Sequence, residues 1–441
     1  MNQQKGFTMR HGEHGTRGAT IGLAAVAILA AITACNGADP SQLGAPTGKD
    51  LAGGAVGDPG NPANMNPGPG GVAPGTGGTT GNSGADPAVK QNPNIDQRRV
   101  DYGEALRTAT LKLAGDLPTL KDIQDIATAM TSADAGKSAY AAKVDALLAD
   151  PRFADRQIEW WRDTFKTGNF DSMPKGAPSY DTAATFAASV VVSDRPYTDL
   201  FTASSGTCPT FANGTFTTAD CAGAQPTAGV LTDPGLMAQY YANLAFRRVR
   251  FVQETFVCNK FPTEFSGAPQ AMGAGLYTSP WSFDSISGGP NATVNFQDTS
   301  SVVCANCHTT LNHIAPLFAH FDDKGVYDPI AFQTHTPVPG TPKSVITDWL
   351  PDGQQTFAWR NGVAVTDLPS LGAAMAADPD VARCAVNRIW NYAMSRGDIV
   401  NDLATIPPVV TDPLLTDFKA NGMKIKHVLK AAFTSDDFVK F

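Results

Sequence analysis

The 441-residue chain is poor in charge and has no basic stripe. Only 17% of its residues are Asp, Glu, Lys or Arg, and the net charge is −8. A phosphate backbone would find nothing to hold it, so nucleic acid is excluded as a partner. Internal repeats and phosphate-binding glycine loops are absent, which removes solenoid architectures and P-loop nucleotide chemistry. Regular apolar/polar alternation does not persist anywhere, so a large sheet is not expected. The one long uncharged apolar run, "IGLAAVAILAAITA", is shorter than the roughly 20 residues a spanning helix needs. The seven cysteines supply a single C-x-x-C pair, one short of the two pairs that a common zinc site uses.

What is present begins with an export signal. Lys5, Arg10 and Arg17 precede the apolar run, and the order basic, apolar, small is that of a secretory leader. The run ends in "AITAC", which resembles a bacterial lipobox with Cys35 as the lipidated mature N-terminus. Ordinary cleavage near Ala34 is the alternative, and either reading exports the protein. Residues 36–96 are rich in Gly, Pro, Asn and Ser and almost free of large apolar side chains. Such a segment cannot bury enough surface to offset its ordering entropy. As a flexible tether its root-mean-square reach is roughly 45 Å.

From about Ile95 onward the pattern is helical. "DYGEALRTATLKLAG" spaces Leu106, Leu111 and Leu113 for one face, and "PTLKDIQDIATAM" repeats Leu120, Ile123 and Ile126. "PGLMAQYYANLAFRRVRFVQETFVC" reads as one long amphipathic segment, and "DPDVARCAVNRIWNYAMSRG" and "KIKHVLKAAF" close the chain. Residues 203–232 and 262–302 read as loops. The tryptophans are expected in the core.

"CANCH", Cys304 to His308, is the motif that carries chemistry. Two thiols three positions apart lie on one helical turn and can add to the two vinyl groups along one edge of a haem. The imidazole that follows can then reach iron from the same side. Cys304 and Cys307 are the expected covalent attachment points and His308 the proximal ligand, with its second ring nitrogen expected to donate to a backbone carbonyl. A zinc site completed by His313, His320 or His335, a redox dithiol, and a pair without a cofactor are the alternatives. A redox dithiol would ordinarily sit in a βαβ setting, which the pattern does not offer.

The chain resembles a family of exported bacterial proteins, the planctomycete-type cytochrome-associated proteins, which are mostly of unknown function. "LRTATLKLAGDLPTLKDIQDI", "YAAKVDALLADPRFADRQIEWWRDTF" and "DRPYTDLFTA" are similar to the family's helical domain. "GVLTDPGLMAQYYANLAFRRVRFVQETFVC", "CANCHTTLNHIAPLFAHFDDKGVYD", "DLPSLGAAMAADPDVARCAVNRIWNYAMSRGDI" and "TSDDFVKF" are similar to its haem-motif part. The resemblance covers most of 100–205 and 227–441 and implies an envelope location and a haem c motif, with no established reaction. Where the family reads Leu-Asp-Pro-Ile-Gly-Phe, this chain has Leu311, Asn312, His313, Ile314, Ala315 and Pro316, and the family's following glutamate is Ala319.

The expected organisation is therefore a lipoprotein signal peptide over 1–34, a tether over 35–96, a helical domain over 97–205, a helix with long loops over 206–302, and a helical cytochrome c-like haem domain over 303–441. With Cys35, Cys304 and Cys307 assigned, the remaining cysteines are an even set that allows three pairings, and the expected one is Cys208 with Cys221 closing a short loop and Cys258 with Cys384 stapling the body. The distal ligand is open. Met394 is the candidate chosen, with Met375, Met423, His335 and His427 behind it, and with the haem seated where the motif helix meets Trp390 and Met394. Arg247, Arg248 and Arg250 could neutralise haem propionates. The functional expectation is one-electron transfer at the envelope with an unidentified redox partner. A haem enzyme or small-ligand binder with an open distal site, or a surface protein whose motif binds zinc or nothing, are the alternatives. Cys35→Ser should move the protein from the membrane to the soluble envelope fraction, because each buried acyl CH₂ contributes about 0.8 kcal/mol. A variant that stays membrane-bound after a high-salt wash would show that lipid on Cys35 is not the anchor.

Overall fold

A computed structural model describes residues 97–167, 178–222, 226–259, 302–330, 332–334, 344–350, 352–398 and 406–441, with short strand pairings at 271–272 and 275–276. Cys35, the leader, the tether, His335 and most of 262–302 lie outside the described residues. What is described is mainly α, in keeping with the helical periodicity. No described helix is long and apolar enough to cross a membrane.

Local chemistry starts the first helices. The Asp101 carboxylate accepts from the N–H groups of Gly103 and Glu104 and opens α1 (Tyr102–Leu113). Thr119 and Asp122 form a reciprocal capping box at α2 (Leu120–Ala129), and Ser132 caps α3 (Ala133–Leu148). Each cap satisfies backbone donors that a helix start would otherwise leave open. On α2 only Ile126 is buried, and Leu120 and Ile123 face solvent. The amphipathic α4 (Arg152–Phe165) packs along α5 (Thr182–Val192), which is apolar nearly all round and therefore central. The short α6 (Asp199–Thr202) follows.

The stretch read as a loop after α6 contains an antiparallel hairpin, β1 (Thr210–Ala212) with β2 (Thr215–Thr217). Asn213 and Gly214 take the left-handed φ values of 50° and 75° that a tight hairpin turn needs. Phe211 and Phe216 pair across it with ring centroids 4.6 Å apart. Cys208 and Cys221 are bonded at the hairpin's base.

The segment read as one long helix is divided. It forms α7 (Pro234–Gln239), a bend at 243–245, α8 (Phe246–Val252) and a π-helical turn over Gln253–Val257. Leu244 and Ala245 hold left-handed φ values of 53° and 57°, which no continuous α-helix accommodates. The Trp349 indole N–H donates to Leu244 O at 2.8 Å and the Thr334 hydroxyl to Ala242 O at 2.8 Å, so tertiary contacts made about 100 residues later overrule the helical pattern.

The motif helix α9 (Val302–Phe318) packs on α8, the bend, and a second small hairpin of β3 (Ala358–Trp359) and β4 (Val363–Ala364). Then come α10 (Leu368–Ala377), α11 (Pro379–Ala393), α12 (Pro408–Ala420), α13 (Ile425–Phe433) and α14 (Asp436–Val439). Helix α10 crosses α6 so closely that a Cβ on Gly372 would stand 1.9 Å from Phe201 O. Trp161, Trp349, Trp359 and Trp390 are buried, as expected, whereas Trp160 is half-buried and Trp281 lies outside the described residues.

Buried residues on both sides of position 205 share one core. Helix α13 buries Ile425, Val428, Leu429, Ala432 and Phe433, and packs on α3 and α5 as well as on α11 and α12. The Tyr140 hydroxyl donates to Phe433 O at 2.8 Å, and Arg99 and Phe441 exchange two backbone hydrogen bonds of 3.0 Å. An amphipathic C-terminal helix needs an apolar surface to cover, and here the N-terminal helices supply it. The Cys258–Cys384 disulfide ties the end of the π-helical turn to α11.

One buried acid opens α7. Asp233 is 0% exposed, and its Oδ1 accepts from Leu236 N–H at 2.9 Å. Its Oδ2 has no partner among the described residues. Burial pushes this carboxyl up to about 7, against the lowering effect of hydrogen bonds from the Leu236 and Gly235 backbones. The folded state thus keeps a proton that the unfolded chain releases near pH 4, so stability is full below that range and is lost as pH rises toward 7. Asp233→Asn keeps a capping oxygen and removes the charge. In urea unfolding it should be more stable than the wild type at pH 8 by about 2–4 kcal/mol, with the gap closing at pH 4. A variant less stable at pH 8 would show that Asp233 is not a destabilised buried acid.

Candidate functional site

The C-x-x-C-H motif lies within α9, not before it. The helix starts at Val302, so His308 falls in its second turn. Cys304 and Cys307 are one turn apart on this helix. The Cys307 side chain is buried, and that of Cys304 lies outside the described side chains. His308 is 3% exposed. Its ring stands edge-on to Phe246 of α8, centroids 4.9 Å apart. Its Nδ1 lies 2.9 Å from Asn312 Oδ1. An amide oxygen can only accept, so Nδ1 carries the proton. The partner is thus a side chain one turn along the helix, in place of the backbone carbonyl expected, because an α-helix already uses its own carbonyls and places residues i and i+4 together.

Burial lowers the His308 pKa, and the hydrogen bond to Asn312 only partly opposes it. The ring is therefore neutral at pH 7, with the lone pair on Nε2. That is the form in which imidazole ligates a metal. A neutral, oriented imidazole directly after two thiols on one turn is a donor set that fits haem of c type.

The wall behind His308 is built on a strained bend. Phe246 follows the two left-handed residues directly, and both Leu244 and Ala245 are buried. Each non-glycine residue in that region costs about 1–2 kcal/mol. The outlay is spent where the chain must turn to set Phe246 against the imidazole.

Arg248 lies on the same short helix as Phe246 and does not serve propionates. It is 0% exposed and uses all five of its N–H groups on backbone oxygens. Nε and Nη2 donate to Met237 O at 3.0 and 2.6 Å, and Nη1 donates to Phe318 O and Phe321 O at 2.7 and 2.9 Å. Nη2 also donates to Asp322 O at 2.9 Å. Burial pushes its pKa down to about 9, which still leaves the guanidinium charged at neutral pH. It therefore closes the carbonyl end of α9 and the end of α7 together. Arg250 pairs with Glu254 at 2.8 Å, and Arg247 is exposed over the Tyr240 ring. The "DDKG" stretch is a turn, with Asp322 Oδ1 accepting from Lys324 and Val326 N–H groups.

Met394 lies elsewhere. It caps the end of α11, which packs mainly on α12, α13 and the π-helical turn, whereas α9 packs mainly on α8, the bend and β3. The expected seat between the motif helix and Trp390 with Met394 is thus not the main packing of either helix. The π-helical turn packs on both α8 and α11, and the Cys258–Cys384 bridge joins its end to α11. Met375 is buried in the core, and Met423 sits in a left-handed turn. His427 pairs with Asp417. His313 and His320 give their Nδ1 protons to Thr356 O and Asp328 O at 2.7 and 2.9 Å. The cysteine pairs expected from arithmetic are bonded, Cys208 with Cys221 and Cys258 with Cys384. Asn312 and Phe246 escaped the sequence reading. The i, i+4 spacing from His308 was the available sign of the first, and Phe246 had none.

A family model described as PSCyt2, protein of unknown function (DUF1549), matches residues 88–205. That is the helical part ahead of the hairpin, and the match stops short of α9. No curated protein and no solved structure matches the chain.

The Arg248 clasp generates a direct test. Arg248→Met keeps the stem and removes its donors from four carbonyls. Phe318 O and Asp322 O keep one backbone donor each, from Phe321 and Gly325 N–H, while Met237 O and Phe321 O are left without one among the described residues. It should cost about 3–5 kcal/mol in urea unfolding, since each orphaned buried group costs about 1–3 kcal/mol and relaxation recovers part of the sum. A loss below about 1 kcal/mol would mean that water or another donor replaces it.

Proposed function

We propose that the chain is an exported lipoprotein that carries one haem c on Cys304 and Cys307 and transfers single electrons at the cell envelope. The observation that carries this reading is His308, a buried, neutral imidazole with Nδ1 held by Asn312, directly after C-x-x-C on one helix. The leader, the lipobox-like "AITAC" and the Gly/Pro tether support export and anchoring at Cys35, and export agrees with the compartment in which bacteria attach haem c. Haem, when bound, supplies an Fe(III)/Fe(II) couple. The chain's own residues do the rest. Cys304 and Cys307 would hold the group covalently, and His308 would supply Nε2 to its iron. Asn312 would fix the tautomer and ring plane, and Phe246, edge-on to the imidazole, would pack behind it. The electron donor and acceptor are envelope redox partners.

A second reading, an open distal position that binds a small ligand, is favoured by the placement of Met394 on a helix that packs away from α9. The two readings separate spectroscopically. Low-spin bands unchanged by carbon monoxide support electron transfer, and a carbon monoxide shift supports ligand binding.

Cys304→Ala with Cys307→Ala should abolish haem staining on a denaturing gel, and persistent stain would reject the attachment. Asn312→Asp should leave the stain intact and lower the reduction potential, because a carboxylate draws the Nδ1 proton more strongly and makes the ligand more electron-rich. An unchanged potential would show that Asn312 does not position the ligand.

A further inference from the structure

The Cys208–Cys221 bridge is set beside a group that a purely structural staple does not need. One carboxylate oxygen of Asp233 and the sulfurs of Cys208 and Cys221 all lie within 4.8 Å of one another. Asp233 is fully buried and its Oδ2 has no hydrogen-bond partner among the described residues, while both cysteines are partly exposed. The Thr207 hydroxyl, itself buried, lies 3.5 Å from Cys221 Sγ. A bonded sulfur has no proton to give, so Thr207 is the donor. One side of the bridge thus faces solvent, and the other faces a proton-bearing acid and a hydroxyl donor.

The geometry points to Cys208–Cys221 as a redox-active disulfide that exchanges with an external dithiol, with Asp233 as the proton donor to its leaving sulfur. The step balances as follows. A thiolate of the external dithiol attacks Cys208 Sγ, the Cys208–Cys221 bond breaks, and a mixed disulfide forms on Cys208. The electron pair leaves on Cys221 Sγ, where Thr207 steadies the thiolate and the Asp233 carboxyl delivers a proton. The dithiol's second thiol then attacks the mixed disulfide and frees Cys208. The external dithiol is oxidised to a disulfide, the protein bridge is reduced to two thiols, and Asp233 recovers its proton from solvent. A neutral acid beside the bridge at pH 7, which burial of Asp233 favours, suits this role.

Cys258–Cys384 supplies an internal control. It is also half-buried on its Cys258 side, but its sulfurs face backbone oxygens of Thr255 and Cys384 and, among the described residues, no acid. The full-length protein is incubated with dithiothreitol at pH 7, quenched with iodoacetamide, and mapped by mass spectrometry, with circular dichroism confirming that it stays folded. Cys208–Cys221 should open at least tenfold faster than Cys258–Cys384. Asp233→Asn, or Asp233→Ser should the first not fold, should slow the opening of Cys208–Cys221 about tenfold and leave Cys258–Cys384 unchanged. Equal opening of the two bridges, or an Asp233 variant that exchanges at the wild-type rate, would overturn the proposal. None of these readouts depends on haem.

Discussion

The guanidinium of Arg248 is buried with no carboxylate partner among the described residues, and its five donors end on the carbonyls of Met237, Phe318, Phe321 and Asp322. A buried charge in that setting is tolerable only if every donor is used, because an isolated ion in an apolar interior costs several kcal/mol. The constraint runs outward from there. The end of α9 has to stop where Arg248 can reach it, α7 has to stop where its last carbonyls point inward, and the 322–325 turn has to fold back against α7. Gly325 takes φ +70°, and a Cβ there would stand 2.0 Å from Pro234 O, so the turn and the start of α7 are in backbone contact. With the far end of α9 closed in this way, the motif, which ends ten residues upstream of Phe318, is held at a fixed height against α8.

The same short helix that carries Arg248 also carries Phe246, which faces His308. One face of α8 thus sets the end of the motif helix, and its first residue sets the wall behind the imidazole. The left-handed pair at Leu244 and Ala245 makes this possible by turning the chain just before α8, and Trp349 holds the turn from outside. Strain, clasp and imidazole wall lie within five residues of chain. An amide at position 312, where the resembling family carries a carboxylate, gives His308 an uncharged acceptor. The buried ring is then oriented without an ion beside it, which is the cheaper arrangement in a site from which water is largely excluded.

The helices were largely legible because their signals are local. Asp101, Thr119 with Asp122, and Ser132 announce helix starts by side-chain chemistry that acts within three residues, and the apolar spacing of 425–433 announces a buried face. The hairpin at 210–217 was read as loop: Asn213–Gly214 between matched residues was the available sign, but its strands are three residues long and fall below the length at which alternation stands out. The break in 234–257 was not legible. No residue there is a glycine or proline after Gly235, and the helical pattern of Leu244, Phe246, Val249 and Phe251 is sound on its own terms. Only a tryptophan about 100 residues downstream makes the left-handed pair worth its cost.

The sequence by itself determined that Cys304, Cys307 and His308 stand together and that the other cysteines beyond Cys35 are an even set, because spacing and number are properties of the chain alone; which cysteine meets which was left to the fold. It also determined the helical class, because the period of the apolar residues is a property of the chain alone. Tertiary structure decided what surrounds those groups. It assigned Asn312 and Phe246 to His308, turned Arg248 from a surface cation into the buried clasp of two helix ends, and drew α11 with Met394 toward α12 and α13. It also joined the two ends of the body into one core through α13. The physical reason is the same in each case. A side chain's own chemistry is set by its covalent structure, whereas its burial, its hydrogen-bond partner and its protonation depend on which distant segment comes to cover it.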